Sequence, residues 1–173
     1  MTGSDRQYLW GQRHLALEKA EVSALYHQKR ERFFELLDKY SKATSLLCGS
    51  AALWKIANPR VVEAMALAIT FLSALSLVFS FSERSKRHAE LARGFCLVAG
   101  DIVKLGRDFL DADVNRWNES LYKLDASEPP ALGALVVLCQ NEIALAKDQP
   151  DAVIPQNVCV RLLAHFFDMP RSH

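Results

Sequence analysis

From Glu63 to Phe95 the chain reads EAMALAITFLSALSLVFSFSERSKRHAELARGF, an apolar tract that passes without a proline into a charged one. Ala64 to Ser82 holds 19 consecutive residues without a charge, nine of them Leu, Ile, Phe or Val. A hydrocarbon core about 30 Å thick takes about 20 apolar residues of helix. Each large aliphatic or Phe residue favours insertion by about 0.3–0.6 kcal/mol. Ala, Ser and Thr offset only part of that, so residues 64–82 are predicted to form a membrane-crossing helix.

Proline is absent from Met1 to Ala57 and again from Arg60 to Glu128. An Asn-Pro step disfavours helix just before the proline, so Asn58-Pro59 is predicted to separate two long helical arms. On the first arm Leu15, Val22, Leu25, Phe33, Leu37 and Tyr40 recur at helical spacing. On the second, Ala92, Phe95, Ala99, Ile102, Gly106 and Phe109 alternate large and small in a 3-4 rhythm suited to close helix packing. Residues 5–42 and 84–122 are therefore expected to pair as antiparallel helices. After Leu124 the style changes. Asp125 to Pro130 reads as a linker, Pro130 opens a helix to about Ala146, and a last helix spans Gln156 to Phe167, with Val160, Leu163, Ala164 and Phe167 on one stripe.

A first span is shorter. Ala43 to Trp54 is free of charge, and snorkelling of Lys42 and Lys55 extends it to Tyr40–Ile56, with Tyr40 and Trp54 as interfacial aromatics. The alternative is a re-entrant or interfacial helix. Basic residues crowd before this segment (Lys29, Arg30, Arg32, Lys39, Lys42) and after the second (Arg84, Lys86, Arg87, Arg93), with only Lys55, Arg60 and Glu63 between. That bias puts both termini in the cytoplasm and requires an even number of crossings. The expected fold is all-α: a two-span transmembrane hairpin at about 40–56 and 64–82, continuing into a long cytoplasmic antiparallel hairpin within residues 1–124. Residues 125–173 form a C-terminal helical cap.

Composition narrows the function. The 21 basic and 20 acidic residues nearly cancel, and the basic run Ser82–His88 has no interleaved aromatics, so nucleic acid is not an expected partner. The four cysteines, Cys48, Cys96, Cys139 and Cys159, form no C-x-x-C pair, which argues against a zinc site and for reduced thiols. The polar N-terminus lacks the apolar region of a secretory signal peptide. Nucleotide-binding glycine loops and H-E-x-x-H are absent, and Arg84…His88 and Arg161…His165 miss the spacing of helical ribonucleases. No enzyme activity, cofactor or metal is expected.

Within the spans, Ala66, Thr70, Ser73 and Ser80 lie close to one helical line, and Ser45, Gly49 and Ala52 offer a similar one. Small residues let membrane helices approach, and hydroxyls can bond between them for about 1 kcal/mol. Ala66, Thr70, Ser73, Ser80 and Gly49 are candidates for interhelical packing or for the wall of an oligomeric pore. Arg84, Lys86, Arg87 and His88 are the juxtamembrane candidates, as topology anchor and contact for anionic lipid.

The order R-x-R-F-F-E-L-L-D-K over Arg30–Lys39, then the hairpin, then L-V-F-x-F-S-x-x-x-x-x-H-x-x-L-x-x-x-F over Leu77–Phe95 resembles SLATT-like bacterial two-transmembrane proteins. The segment from Glu128 to Ala146 is similar to their soluble tail. The resemblance implies a homo-oligomeric membrane-perturbing or pore-forming effector of a defence-type system in the bacterial inner membrane. Any trigger would then come from a cytosolic sensor or effector in trans, or through the helical tail. The other reading is a non-conducting scaffold that presents its cytoplasmic helices to a protein partner. A soluble helical interaction domain with an apolar core helix is a third.

Overall fold

The computed structural model describes residues 3–53 and 58–166, and every regular element within them is helical. In chain order these are α1 (Gly3–Leu53), α2 (Pro59–Phe79), α3 (Phe81–Lys104), α4 (Asp111–Ser127), α5 (Gly133–Ala146) and α6 (Val158–Leu163), with a 3-10 turn at Pro150–Ala152. The all-α expectation holds. Two compact units result, one from residues up to Lys29 and from Ala89 onward, the other from Arg30 to His88.

In the first unit the expected helix over 84–122 is broken. Gly106 adopts φ +56 and its N–H donates to Val103 O at 3.0 Å, a left-handed helix end that glycine takes without a side-chain clash. The chain restarts at Asp111, where the Asp113 carboxylate accepts from the Leu110 N–H at 2.9 Å. Asp111 and Asp113 in the first turn also suit the positive end of the helix dipole. The simple antiparallel pair is thus replaced by three helices around one core. Leu9, Ala16, Ala20 and Ala24 of α1 meet Phe95, Val98 and Ile102 of α3 and Val114, Trp117 and Leu121 of α4. The stripe read on α3 is the buried one, whereas Leu15 and Tyr40, counted in the stripe of the first arm, are 59% and 69% exposed. Gly94 marks a close approach, since a Cβ there would come within 2.6 Å of the Leu124 side chain.

The C-terminal helices use a second core, in which Val22 and Tyr26 of α1 pack with Ala134, Leu135, Cys139 and Ala164. Helix α5 starts at Gly133, not Pro130, because the Leu132 N–H donates to Tyr26 Oη at 3.1 Å and fixes the turn before it. Helix α6 is shorter than expected and begins where Asn157 Oδ1 caps the Cys159 N–H. Phe167 lies outside the described residues. Ion pairs tie this tail to α1: Lys29–Glu142 at 2.7 Å and Glu21–Lys147, with Lys19–Asp125 reaching α4. His27 is fully buried, stacked on Phe95 at 5.6 Å between centroids, with Nε2 3.1 Å from Glu128 Oε1. Burial pushes the Cys139 thiol up to about 12, so at neutral pH it holds its proton and lacks the reactive thiolate. Exposed Cys96 and Cys159 are expected to react with a maleimide in the native protein while Cys139 reacts only after denaturation; modification mapped by mass spectrometry checks this.

The second unit contains α1 from Arg30, α2, and α3 to His88. Asn58 starts α2 as its cap, Oδ1 accepting from the Arg60 N–H at 3.1 Å, and Pro59 sits at the tolerant first position. The break expected at Asn58-Pro59 is therefore a helix start. The expectation of an uninterrupted helix through Ser82 fails at Ser80, which adopts the left-handed conformation at φ 45, ψ 51. The hydrogen bonds run on across it: the Ser80 N–H donates to Ser76 O and the Arg84 N–H to Ser80 O, both at 3.0 Å. A non-glycine residue in that conformation costs about 1 kcal/mol.

Candidate functional site

The 21 residues of α2 make a helix of about 31 Å at 1.5 Å per residue, and none of them is buried. Leu67, Phe71, Leu77, Val78 and Phe79 are exposed, Leu77 by 82%, and Leu46 and Leu47 on α1 are exposed by about 70%. Covering a large apolar side chain is worth about 1.5–3 kcal/mol, so those five on α2 alone stand for about 10 kcal/mol. That rivals the whole stability of a domain. An apolar surface of this size marks an interaction face, for lipid or protein. Among the described residues one helical stretch, Pro59–Lys104, is long and apolar enough to cross a membrane, and its apolar part is α2. The expected first span, Tyr40–Ile56, is helical through Leu53; 54–57 lie outside the described residues.

The α1 segment and α2 run antiparallel, with Ser41, Lys42 and Ser45 facing Ser73, Ser76, Leu77 and Ser80 across an open groove of about 510 Å³. The candidates from sequence separate here. Ser73 and Ser80 line this groove, as does Ser45. Thr70 does not; it is exposed and its Oγ1 donates to Ala66 O at 2.9 Å, so its hydroxyl is satisfied on its own helix. Ala66 is exposed beside it, and Gly49 on α1 has open space where a Cβ would stand. Sequence reasoning missed Ser41 and Ser76. The four-residue step from Ser41 to Ser45, one helical face, was the available signal.

Beside the groove lies an aromatic and cationic cluster. Phe34 is buried, with the Arg30 guanidinium 4.6 Å and that of Arg84 5.9 Å from its ring centroid. His88 is also buried and stacks on Phe34 at 5.6 Å and 13°, while Phe81 stacks at 6.5 Å. Ser85 Oγ donates to Glu31 O at 3.3 Å, a further tie between the helices. Of the juxtamembrane candidates, then, Arg84 and His88 join one cluster with Phe34, and Lys86 and Arg87 are exposed. Phe34, to which the sequence reading gave no role, is its centre. Lys39 pairs with Glu35 and Lys42 with Asp38, each at 2.6 Å, which reduces the basic excess on α1.

Among the described residues no three His, Cys, Asp or Glu side chains are placed to hold a metal ion. The chemistry on offer is an apolar helix of membrane length, a groove of hydroxyls beside it, and cations stacked on an aromatic at one end. No family model, curated protein or solved structure matches this chain.

Proposed function

We propose that the chain is an integral membrane protein with two spans, Tyr40–Ile56 and α2, and both termini on the cytoplasmic side of a bacterial inner membrane. The observation that supports it is α2 itself, free of charge from Ala64 to its end and without a buried residue. Lipid covers such a helix without requiring a partner for every side chain. The antiparallel course of the α1 segment and α2 and the cations around Phe34 agree with a hairpin whose basic end stays at the headgroups. Together with the SLATT-like resemblance, these features favour a homo-oligomeric, membrane-perturbing or pore-forming effector with hydroxyls on its wall. Its trigger would come from a cytosolic protein in trans.

The test is membrane potential in single cells on induced expression, with the Thr70/Ser73/Ser80→Leu triple variant alongside. The parent depolarises the membrane, and the equally inserted variant leaves the potential at background. The result against a pore is an intact potential with the parent confirmed in the membrane. A second reading, a non-conducting scaffold, is favoured by the tail, whose two ion pairs to α1 and second core hold α5 and α6 in a fixed form fit for a partner. A scaffold tolerates the triple substitution but loses partner binding when the residues after Pro130 are removed.

A further inference from the structure

Hydroxyls on an apolar hairpin placed in lipid normally fold back onto their own helix, because an unmade hydrogen bond is costly where water is scarce. Ser50 does so to Leu46 O at 2.9 Å, Thr70 to Ala66 O at 2.9 Å, and Ser80 to Leu77 O at 3.3 Å. Four others do not. Among the described residues the side chains of Ser41, Ser45, Ser73 and Ser76 make no hydrogen bond, and all four line the same groove. Ser41 is a buried residue, 8% exposed, and lines that groove.

We infer that this groove is a binding site for one anionic phospholipid, its phosphodiester held by Lys42 and the hydroxyls. The inference rests on the membrane reading above and names a partner for the same hairpin. Among the described residues Lys42 is the one cation lining the groove, and its side chain is 69% exposed. Its i,i+4 pair with Asp38, whose own side chain is 16% exposed, leaves the Lys42 end open to water, where a phosphate oxygen can reach it. A phosphodiester and its ester carbonyls only accept hydrogen bonds, and four free hydroxyls supply donors. Their depth suits that layout: Ser45 lies about 6 Å, one helical turn, nearer the hairpin tip than Ser41. Ser73 is likewise deeper than Ser76, so the outer hydroxyls meet phosphate and the inner ones the ester carbonyls. Leu77, 82% exposed at the groove wall, and Leu46 offer the apolar surface along which an acyl chain continues. That apolar continuation selects a lipid over free phosphate.

The test is native mass spectrometry of the full chain in a non-ionic detergent, titrated with phosphatidylglycerol, phosphatidylcholine or inorganic phosphate. One phosphatidylglycerol per chain is retained, in preference to phosphatidylcholine, and inorganic phosphate does not displace it. In the variant Ser41/Ser45/Ser73/Ser76→Ala, which keeps every cation, binding weakens tenfold or more, about the effect of losing one or two net hydrogen bonds. Lys42→Gln removes the preference for the anionic lipid. Circular dichroism confirms the fold of each variant, which Ser→Ala within helices favours. Equal retention by the quadruple-alanine variant, equal binding of phosphatidylcholine, or displacement by phosphate overturns the site. A chain that fails to float with phosphatidylcholine vesicles instead overturns the membrane reading beneath it, and the two failures are read separately.

Discussion

Phe71→Arg is expected to abolish stable membrane association of the chain. Phe71 sits in the apolar tract of α2 and is 64% exposed. In water, exchanging an exposed Phe for Arg is close to neutral for folding and improves solubility. At the centre of a membrane span the same change costs about 3–4 kcal/mol, the sum of Arg's penalty and the Phe contribution it removes. That is more than a hundredfold in the insertion equilibrium. The outcome therefore separates a lipid-covered helix from a water-exposed one. The fraction of chain in the membrane pellet, measured beside a Phe71→Leu control that leaves insertion intact, checks it. Unchanged pelleting of the Arg variant would mean that α2 does not sit in hydrocarbon.

The second large effect belongs to the helical unit that contains α4 and α5. Phe95→Ala is expected to destabilise it by about 3–5 kcal/mol, through lost burial and the cavity left among α1, α3 and α4. Phe95 is fully buried, and its ring is the surface on which buried His27 stacks. Removing it also loosens the imidazole that meets Glu128, and so the linker leading to α5. For a domain of this size the midpoint of thermal unfolding falls by about 10 °C or more. Near-UV circular dichroism and the Trp117 signal in detergent report it, since Trp117 lies in the same core. Leu97→Ala on the exposed side of α3 serves as the contrast and leaves the midpoint within about 2 °C. A Phe95→Ala protein that unfolds with the parent would show that this core does not hold the unit together.

The legible parts of this molecule are those set by short-range pattern. Ala92, Phe95 and Ile102 announced the buried face of α3 because a helix brings every third and fourth residue to one side. The charge-free run marked α2 by composition alone, and Asn58-Pro59 marked where it starts. The two interruptions of the second arm were not legible. The apolar rhythm passes straight through Gly106 to Phe109, and Ser80 carries no signal for a left-handed residue as glycine or asparagine would. The buried histidines were missed for a different reason. His27 precedes Gln28 and His88 follows Lys86-Arg87 in sequence, and what buries them is remote: Phe95 and Glu128 for one, Phe34 for the other. The candidate small and hydroxyl residues were read as one line on each span, with Ser45 on the first, without a register between the two. Half of the groove they border comes from α1, and only the pairing of α1 with α2 brings Ser41 and Ser45 opposite Ser73 and Ser76. Thr70, on the same line in sequence, is taken up by its own backbone.

The pore, the scaffold and the lipid site all depend on α2 crossing a bilayer. The most direct measurement is alkaline carbonate extraction of membranes from cells expressing the unmodified chain. Integral insertion predicts that the chain stays in the pellet with the lipid, and full release into the supernatant would contradict it.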